Sequence, residues 1–374
     1  MKSDKIPILS FFTGGGFLDL GFEEAGFETV WSNEFNSDIA DMFEHGMTAL
    51  RRHKNPLAPV ARISSRKSIA DLKAEDILTE AFNGLRPKRF GVIGGPPCPD
   101  FSVGGKNRGH EGDHGKLSKC YIDMVCELKP TFFLMENVPG LIRTSKHKVF
   151  LGKLREQLQL AGFVTDLKIL NALEHGAPQD RERVFMVGLT EEFYLQNTGS
   201  KSRPERDGWF PYPEPIYPHA KSYPWPKSSR FGVQPNKPEG IIDELTLHPL
   251  LASIPSPLEK PNGREIFVAY SNKFKEVPEG DDSRKSFKRL HRYRFSPTVC
   301  YGNNEVHLHP WEPRRLSVRE ALRIQTIPDE YELPPSKPLS TKFKMIANGV
   351  PRLLARKVAE SFKSIINCID TDKT

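Results

Sequence analysis

The stretch IPILSFFTGGGFLDLGF, Ile6 to Phe22, decides the fold. A β-rich run from Ile6 to Phe12 ends in Gly14-Gly15-Gly16, and helical spacing takes over from Leu18 to Gly26. A strand that ends in a glycine turn opening a helix lets backbone N–H groups approach a ligand closely. Working outward, Glu28 to Asn33 reads as a second strand and Asp38 to Leu50 as an amphipathic helix. Arg89 to Ile93 and Thr131 to Met135 are further apolar strands, separated by a helix from Ser118 to Leu128. Phe163 to Leu170 and Arg183 to Leu189 add two more. This alternation predicts a doubly wound α/β sheet with ligands at the carboxyl ends of its strands.

The pattern breaks in the second half. Thirteen of the 32 prolines lie between Pro204 and Pro261, among Trp209, Tyr212, Tyr217, Tyr223 and Trp225, and no helix or strand period survives there. That span reads as an irregular second domain. Regularity returns with SVREALRIQ (Ser317 to Gln325) and a last helix from Pro351 to Ile366, where Pro351 is a suitable first-turn residue. The 374 residues carry 54 Lys and Arg against 47 Asp and Glu, a net +7 that permits a polyanionic partner without requiring one. No run of about 18 apolar residues exists to form a membrane helix. The start, MKSDKIPILSFF, runs into the glycines without a small-residue cleavage site and is not read as a signal peptide. Cys98, Cys120, Cys126, Cys300 and Cys368 form no CxxC pair and no zinc spacing, so reduced thiols and no metal are expected.

Four segments carry chemistry. After the glycine turn, Glu34 closes the next strand 18 residues beyond Gly16, a spacing suited to a carboxylate holding two ribose hydroxyls. Asp19 stands where a dinucleotide fingerprint needs its third glycine, which favours a ligand with adenosine but no phosphates. In GGPPCPDFS (Gly94 to Ser102), a strand delivers Cys98 into a stiff proline-flanked loop where a thiol has little to pack against. In FFLMENVPG, Glu136 follows four apolar residues, and partial desolvation would raise its pKa toward a usable acid. In PQDRERVFMVG, Arg181 and Arg183 alternate on an extended stretch and share a face. Read singly, each has a plainer account: a space-saving turn, a buried cysteine, a loop charge, a surface charge run. Together they suit electrophilic substitution on a pyrimidine, in which a thiolate adds at C6, a proton reaches N3, and C5 becomes nucleophilic.

The ordered set FTGGGF, NEFN, PPCPDFS, GKLSK, ENV, QDRER, RRLSVREALRIQTIPDEY and IANGVP resembles the DNA (cytosine-5) methyltransferases of restriction-modification systems over most of the chain outside the proline-rich span. The resemblance implies an α/β fold of the S-adenosylmethionine-dependent methyltransferase kind. This is a Rossmann-like mixed sheet with helices on both faces, plus a smaller irregular target recognition domain. It implies a catalytic domain over 1–190, a target domain over 191–310, and a return to the catalytic domain over 311–374. It implies S-adenosylmethionine as methyl donor and a cytosine flipped out of double-stranded DNA. By position, Cys98 is the nucleophile, Glu136 the group at N3, Arg183 the cytosine contact, Arg181 the neighbouring-backbone contact, and Gln179 a brace, with Ser102 also facing DNA. Phe12, Gly14, Gly16, Phe17, Leu18, Glu34, Phe35, Pro97, Leu117 and Asn348 would hold the cofactor, with Ser68 and Ile69 aligned to the adenine contact and Asp71 as a second candidate.

Phe17, Pro99 and Ala347 depart from the family pattern without removing a bond-making group. In the target domain, RKSFKRLHRYRF places Arg284, Lys288, Arg289, Arg292 and Arg294 among aromatics, and this run is expected to face DNA phosphates and bases. A cognate restriction or defence-system protein, a monomeric state and a bacterial cytoplasmic or nucleoid location complete the expectation. An RNA cytosine-5 methyltransferase fits the large target span less well. An inactive DNA-binding scaffold fits the intact Cys98, Glu136, Arg181 and Arg183 set less well. A nicotinamide dehydrogenase lacks GxGxxG.

Overall fold

The computed structural model describes residues 5–97, 113–283, 286–299, 301 and 307–367. Six strands form one sheet: β1 (Ile6–Phe11), β2 (Phe27–Asn33), β3 (Gly91–Gly94), β4 (Phe132–Asn137), β5 (Phe163–Asn171) and β6 (Glu182–Thr190). Their order is β2-β1-β3-β4-β6-β5. The pairs β1–β2, β1–β3 and β3–β4 are parallel, while β6 runs antiparallel to both β4 and β5. The sheet is therefore mixed.

Side chains alternate between two cores, as strand geometry requires. Ile8, Ile93, Phe132 and Leu134 point to a face covered by the C-terminal helix Arg352–Asn367, through Leu354, Val358 and Phe362. Leu9, Phe11, Val92, Phe133 and Met135 point to the other, under the helices Asp113–Leu128 and Ser145–Leu160. Burial on both faces is why β3 and β4 read as short continuous apolar runs. A third core joins the helices Ser37–Lys54, Val318–Ile324 and Leu339–Asn348 around the fully buried Tyr331. Register aligns the strand tips: Phe11 lies opposite Asn33 and Gly94, and Gly94 opposite Met135. The helices Ala74–Phe82, Ser145–Leu160, Glu191–Thr198 and Leu339–Asn348 complete the frame without having been read from the sequence.

Among the described residues between Gly199 and Leu316, the regular elements are single turns and one two-residue pair, β7 (Lys288–Arg289) with β8 (His307–Leu308). Here the structure corrects the expectation for Arg289 and Arg292 of the basic run. Arg289 is fully buried and donates to the carbonyls of Val277 (2.7 Å), His309 (2.6 Å), Glu312 (3.0 Å) and Phe274. Arg292 is buried and forks onto Glu279, with Nε and Nη2 each 2.9 Å from a carboxylate oxygen. Arg294 bonds Asp282 at 2.8 Å, Lys288 is half-buried, and Arg284 lies outside the described residues. A segment without a continuous hydrogen-bond ladder leaves carbonyls in need of donors, and a guanidinium offers five N–H groups in a fixed fork. Arg289 and Arg292 frame the region from within, while Arg294 and Lys288 keep part of their surface exposed.

Two stability measurements test this packing. Arg292→Ala would leave the Glu279 carboxylate, 1% exposed at its side chain, buried without its cation, a loss of about 3–5 kcal/mol. Arg294→Ala, at a 25% exposed side chain, should cost under about 1 kcal/mol; equal losses in denaturant titrations would contradict the buried frame. Asp19 is fully buried, takes a 3.4 Å hydrogen bond from Thr29, and burial pushes its carboxyl up to about 7. Its folded-state pKa lies above the unfolded one, so its contribution is complete below about 4 and disappears as pH rises through 7. The shift from 3.8 to about 7 corresponds to on the order of 4 kcal/mol. Asp19→Asn should therefore melt higher than the wild type at pH 8 and lose that advantage by pH 4.

Candidate active site

The carboxyl ends of β1 to β4 share one edge, and the antiparallel direction of β6 brings its start to the same place. Asn137 pairs with Val184 and Glu136 with Phe185, so Arg183 emerges beside Glu136. Arg183 Nε lies 2.8 Å from Glu136 Oε1, with both side chains 11% exposed. Burial pushes the Glu136 carboxyl up, and the charges of Arg183 and Arg181 pull it partly back. A Cβ on Gly95 would stand 3.0 Å from Glu136 Oε2, so the missing side chain lets the loop after β3 close against the carboxylate. Asn137 Nδ2 donates to the Pro96 carbonyl at 3.4 Å, while its Oδ1 accepts from Val138 N at 2.8 Å. The loop is thus anchored to within one residue of the half-buried Pro97. Cys98 and Ser102 lie outside the described residues.

Arg181 is fully buried, and its Nη2 donates to the Ala347 carbonyl at 2.7 Å. The backbone that Arg181 reaches is the protein's own, at the end of the helix Leu339–Asn348. Gln179 is also fully buried, its Nε2 3.4 Å from Ile324 O and from Gln325 Oε1. Gln325 continues to Ile346 O at 2.6 Å. Buried amides linked end to end in this way tie the strand carrying Arg183 to the two helices behind it.

On the other side of β1, the glycine turn and Glu34 meet. Gly14 N donates to Glu34 Oε2 at 3.0 Å and Asn36 N to Oε1 at 2.8 Å, while burial pushes the carboxyl up. Gly16 caps the helix Phe17–Glu24 at φ 74°, a conformation that glycine adopts without strain. Phe12 holds φ 52° and lies 6.5 Å from the Tyr121 ring. Asn33 Nδ2 donates to Ser65 O (3.0 Å) and Lys67 O (2.9 Å), which draws Ser68 and Ile69 alongside the β2 tip. Ser68 Oγ caps a single turn and Ile69 is buried. Phe35 is 70% exposed, Leu117 half-buried, and Asn348 exposed at its helix end. Phe17 and Leu18 are corrected as side-chain contacts. Phe17 packs edge-on against Tyr331 and under Gly349, and Leu18 enters the sheet core. Only their backbones remain at the turn.

Sequence reading missed Asn33, Gln325 and Tyr331. The Tyr331 hydroxyl donates to Gly15 O at 2.7 Å across 316 positions of chain, and its ring fills the space above Gly46. No local signal announces a contact of that span. Among the described residues, no group of three or more His, Cys, Asp or Glu side chains is placed to hold a metal ion, and no helix is long and apolar enough to cross a membrane.

Residues 6–364 match the C-5 cytosine-specific DNA methylase family. The chain is 41% identical over 368 residues to the type II methyltransferase M.NmeDI of Neisseria meningitidis serogroup C, covering 97% of this chain and 84% of that protein. It is 29% identical over 394 residues to the type II methyltransferase M.FnuDI of Fusobacterium nucleatum, covering 98% and 96%. Its fold is similar to the crystal structure of the S. pombe Dnmt2 methyltransferase, with a TM-score of 0.58 at 12% identity over 98% of this chain and 100% of that one. With an extensive match to the family and a relative at 41% identity, this chain belongs to the C-5 cytosine-specific DNA methylases.

Proposed function

We propose that the protein methylates C5 of a cytosine flipped out of a specific sequence in double-stranded DNA, using S-adenosylmethionine. The observation that carries this reading is the Glu136–Arg183 pair, 2.8 Å apart at the edge where the loop leading to Cys98 closes over the carboxylate. A flipped base needs hydrogen-bonding groups in a pocket that excludes water, and a buried acid held by a guanidinium supplies them.

Cys98 is assigned as the nucleophile whose thiolate adds to cytosine C6. Glu136, with its carboxyl pushed up by burial, gives a proton to N3, and Arg183 keeps the carboxyl in place. The ring then carries an enamine with nucleophilic C5. S-adenosylmethionine, when bound, supplies the electrophilic methyl group taken up there. Loss of the C5 proton and departure of the Cys98 sulfur restore aromaticity.

The residues at the glycine turn fit this donor. Glu34 is fixed by two backbone N–H groups, and each carboxylate oxygen keeps a further lone pair for a ribose hydroxyl. Phe12, Gly14, Gly16, Pro97, Leu117 and Asn348 are assigned to the same donor, and the exposed Phe35 ring is available to an adenine face. Residues 1–190 and 311–374 then form the catalytic unit and 191–310 the target-reading unit. The names of the relatives, type II methyltransferases of bacteria, support a cognate restriction or defence-system protein as partner, with action on DNA in the bacterial cytoplasm or nucleoid as part of the same proposal.

Bisulfite sequencing of DNA from expressing cells should show methylcytosine in one sequence context; unmodified DNA would refute the assignment. Cys98→Ser should abolish methylation, and 5-fluorocytosine at the target position should trap a covalent adduct that this variant fails to form. Glu136→Gln should lower single-turnover methyl transfer by about 10²–10⁴-fold and flatten its dependence on pH. The wild-type rate should fall as pH rises through the raised Glu136 pKa, because the proton donor is lost. A wild-type rate that climbed over that range would remove Glu136 from the role of acid.

A further inference from the structure

Asp19 is a buried acid that the proposed chemistry does not use. It sits in the first turn of the helix Phe17–Glu24, directly after the glycine turn, with its carboxyl against the sheet. Oδ1 takes the hydroxyl of Thr29 on β2 at 3.4 Å, while Oδ2 is buried with no hydrogen-bond partner. Burial holds the carboxyl at about 7 against the opposing hydrogen bond of the Ser10 hydroxyl on β1. Glu23, one turn further along the helix, adds to the rise and is itself paired with Arg51 at 2.7 Å. The neighbouring cations of the C-terminal helix have partners of their own. Arg352 is held by Glu24 and Arg356 by Glu360, each at 2.8 Å, and Lys363 lies over the Phe27 ring at 5.8 Å. Glu28 on β2 is exposed. Tyr331 faces the acid from the C-terminal segment, and burial together with the Asp19 charge pushes its hydroxyl up.

Ser10 connects this acid to the turn. Its Oγ lies 3.1 Å from Thr13 Oγ1, and Thr13 Oγ1 donates to the Ser10 carbonyl at 3.3 Å. Thr13 starts the glycine turn: its carbonyl accepts from Gly16 N at 2.9 Å, and its N–H donates to Asn33 O at 3.0 Å. Each hydroxyl has one proton to give. With Thr13 donating to the carbonyl, the Ser10 proton must fill the contact between the two hydroxyls, and Ser10 can then only accept from Asp19. That requires a proton on the carboxyl. An ionised Asp19 only accepts, and it takes the Ser10 proton for its own hydrogen bond. Thr13 must then turn its proton toward Ser10 Oγ and give up the Ser10 carbonyl. The direction of the whole chain is set by one proton at Asp19.

We propose that Asp19, acting through Ser10 and Thr13, is a positioning residue for the methyl donor: its neutral form orders the glycine turn for binding, and its ionised form loosens that turn. The side chain reaches neither the donor nor the base, so donor affinity carries the effect and the chemical step does not. The inference rests on the use of S-adenosylmethionine proposed above.

The test is calorimetric titration of the full-length protein with S-adenosylhomocysteine, whose sulfur carries no charge, across neutral pH. In the wild type the Kd should rise as pH passes about 7, by up to about tenfold per pH unit. Asp19→Asn offers Ser10 an N–H donor at every pH, so its Kd should stay at the low-pH value of the wild type, apart from the ligand's own titration, which both proteins share. Ser10→Ala cuts the chain and leaves Asp19 in place; it should bind more weakly at low pH and also lose the dependence. A Ser10→Ala profile as steep as that of the wild type would overturn the chain, since the carboxylate would then act by charge alone. Equal profiles for the wild type and Asp19→Asn would overturn the role of Asp19. Single-turnover rates at saturating donor should be alike in these two proteins at each pH, and a difference there would move the effect into the chemical step and overturn the inference. A wild type that binds no S-adenosylhomocysteine at any pH would overturn the donor assignment itself, and this inference with it.

Discussion

The site depends on the direction of a single strand. β6 runs antiparallel between β4 and β5, and only that direction delivers its first residues to the edge where the parallel strands end. A parallel β6 would present Thr190 there and carry Arg183 to the far side of the molecule. With the reversal, Glu136 gains a cation at 2.8 Å while both groups are almost free of water. Burying a carboxylate alone is costly, and a paired guanidinium offsets much of that cost while burial still raises the carboxyl pKa. The result is an acid that is held in position and remains ready to share a proton.

Much of this was legible in the chain. Apolar runs bounded by glycine and proline located all six strands, because buried strands have no other pattern open to them. The glycine turn and Glu34 could be paired by spacing since consecutive strands β1 and β2 are neighbours in the sheet. The basic run from Lys288 to Arg294 was misleading for a physical reason. Sequence shows that a region is rich in charge, whereas the destination of the charge depends on how many backbone carbonyls that region leaves unpaired. Arg289 answers several of them at once. Tyr331 and Gln325 were invisible for the complementary reason: their partners at Gly15 and Ile346 are set by tertiary approach.

The same contacts explain why the C-terminal segment is needed to finish a site that the first half begins. The glycine turn is positioned by Tyr331, and the strand start that bears Arg183 by Gln325 and by the Ala347 carbonyl on Arg181. Phe22 and Phe362, with ring centroids 6.1 Å apart, join the first helix to the last. The helix Arg352–Asn367 closes one whole face of the sheet. The glycine turn and the Glu136–Arg183 pair therefore share supports, although they form at opposite sides of β1 and come from distant stretches of chain.

The proline-rich region is clamped onto this frame at the point of chemistry. Ser296 N donates to Pro178 O, and Asp180 N donates to Ser296 O, each at 2.9 Å. Lys221 adds an ion pair to Asp180 at 2.8 Å, and Val299 N approaches Gln179 Oε1 at 3.4 Å. Every one of these contacts falls on residues 178–180, immediately before the two arginines. That short segment leads directly into Arg183 and the carboxylate it holds. Irregular structure suits this coupling, because its fixed points are a few side-chain and backbone bonds and its loops can vary while the clamp remains. Residues 178–180 thus join the proline-rich region to the strand that carries Arg183.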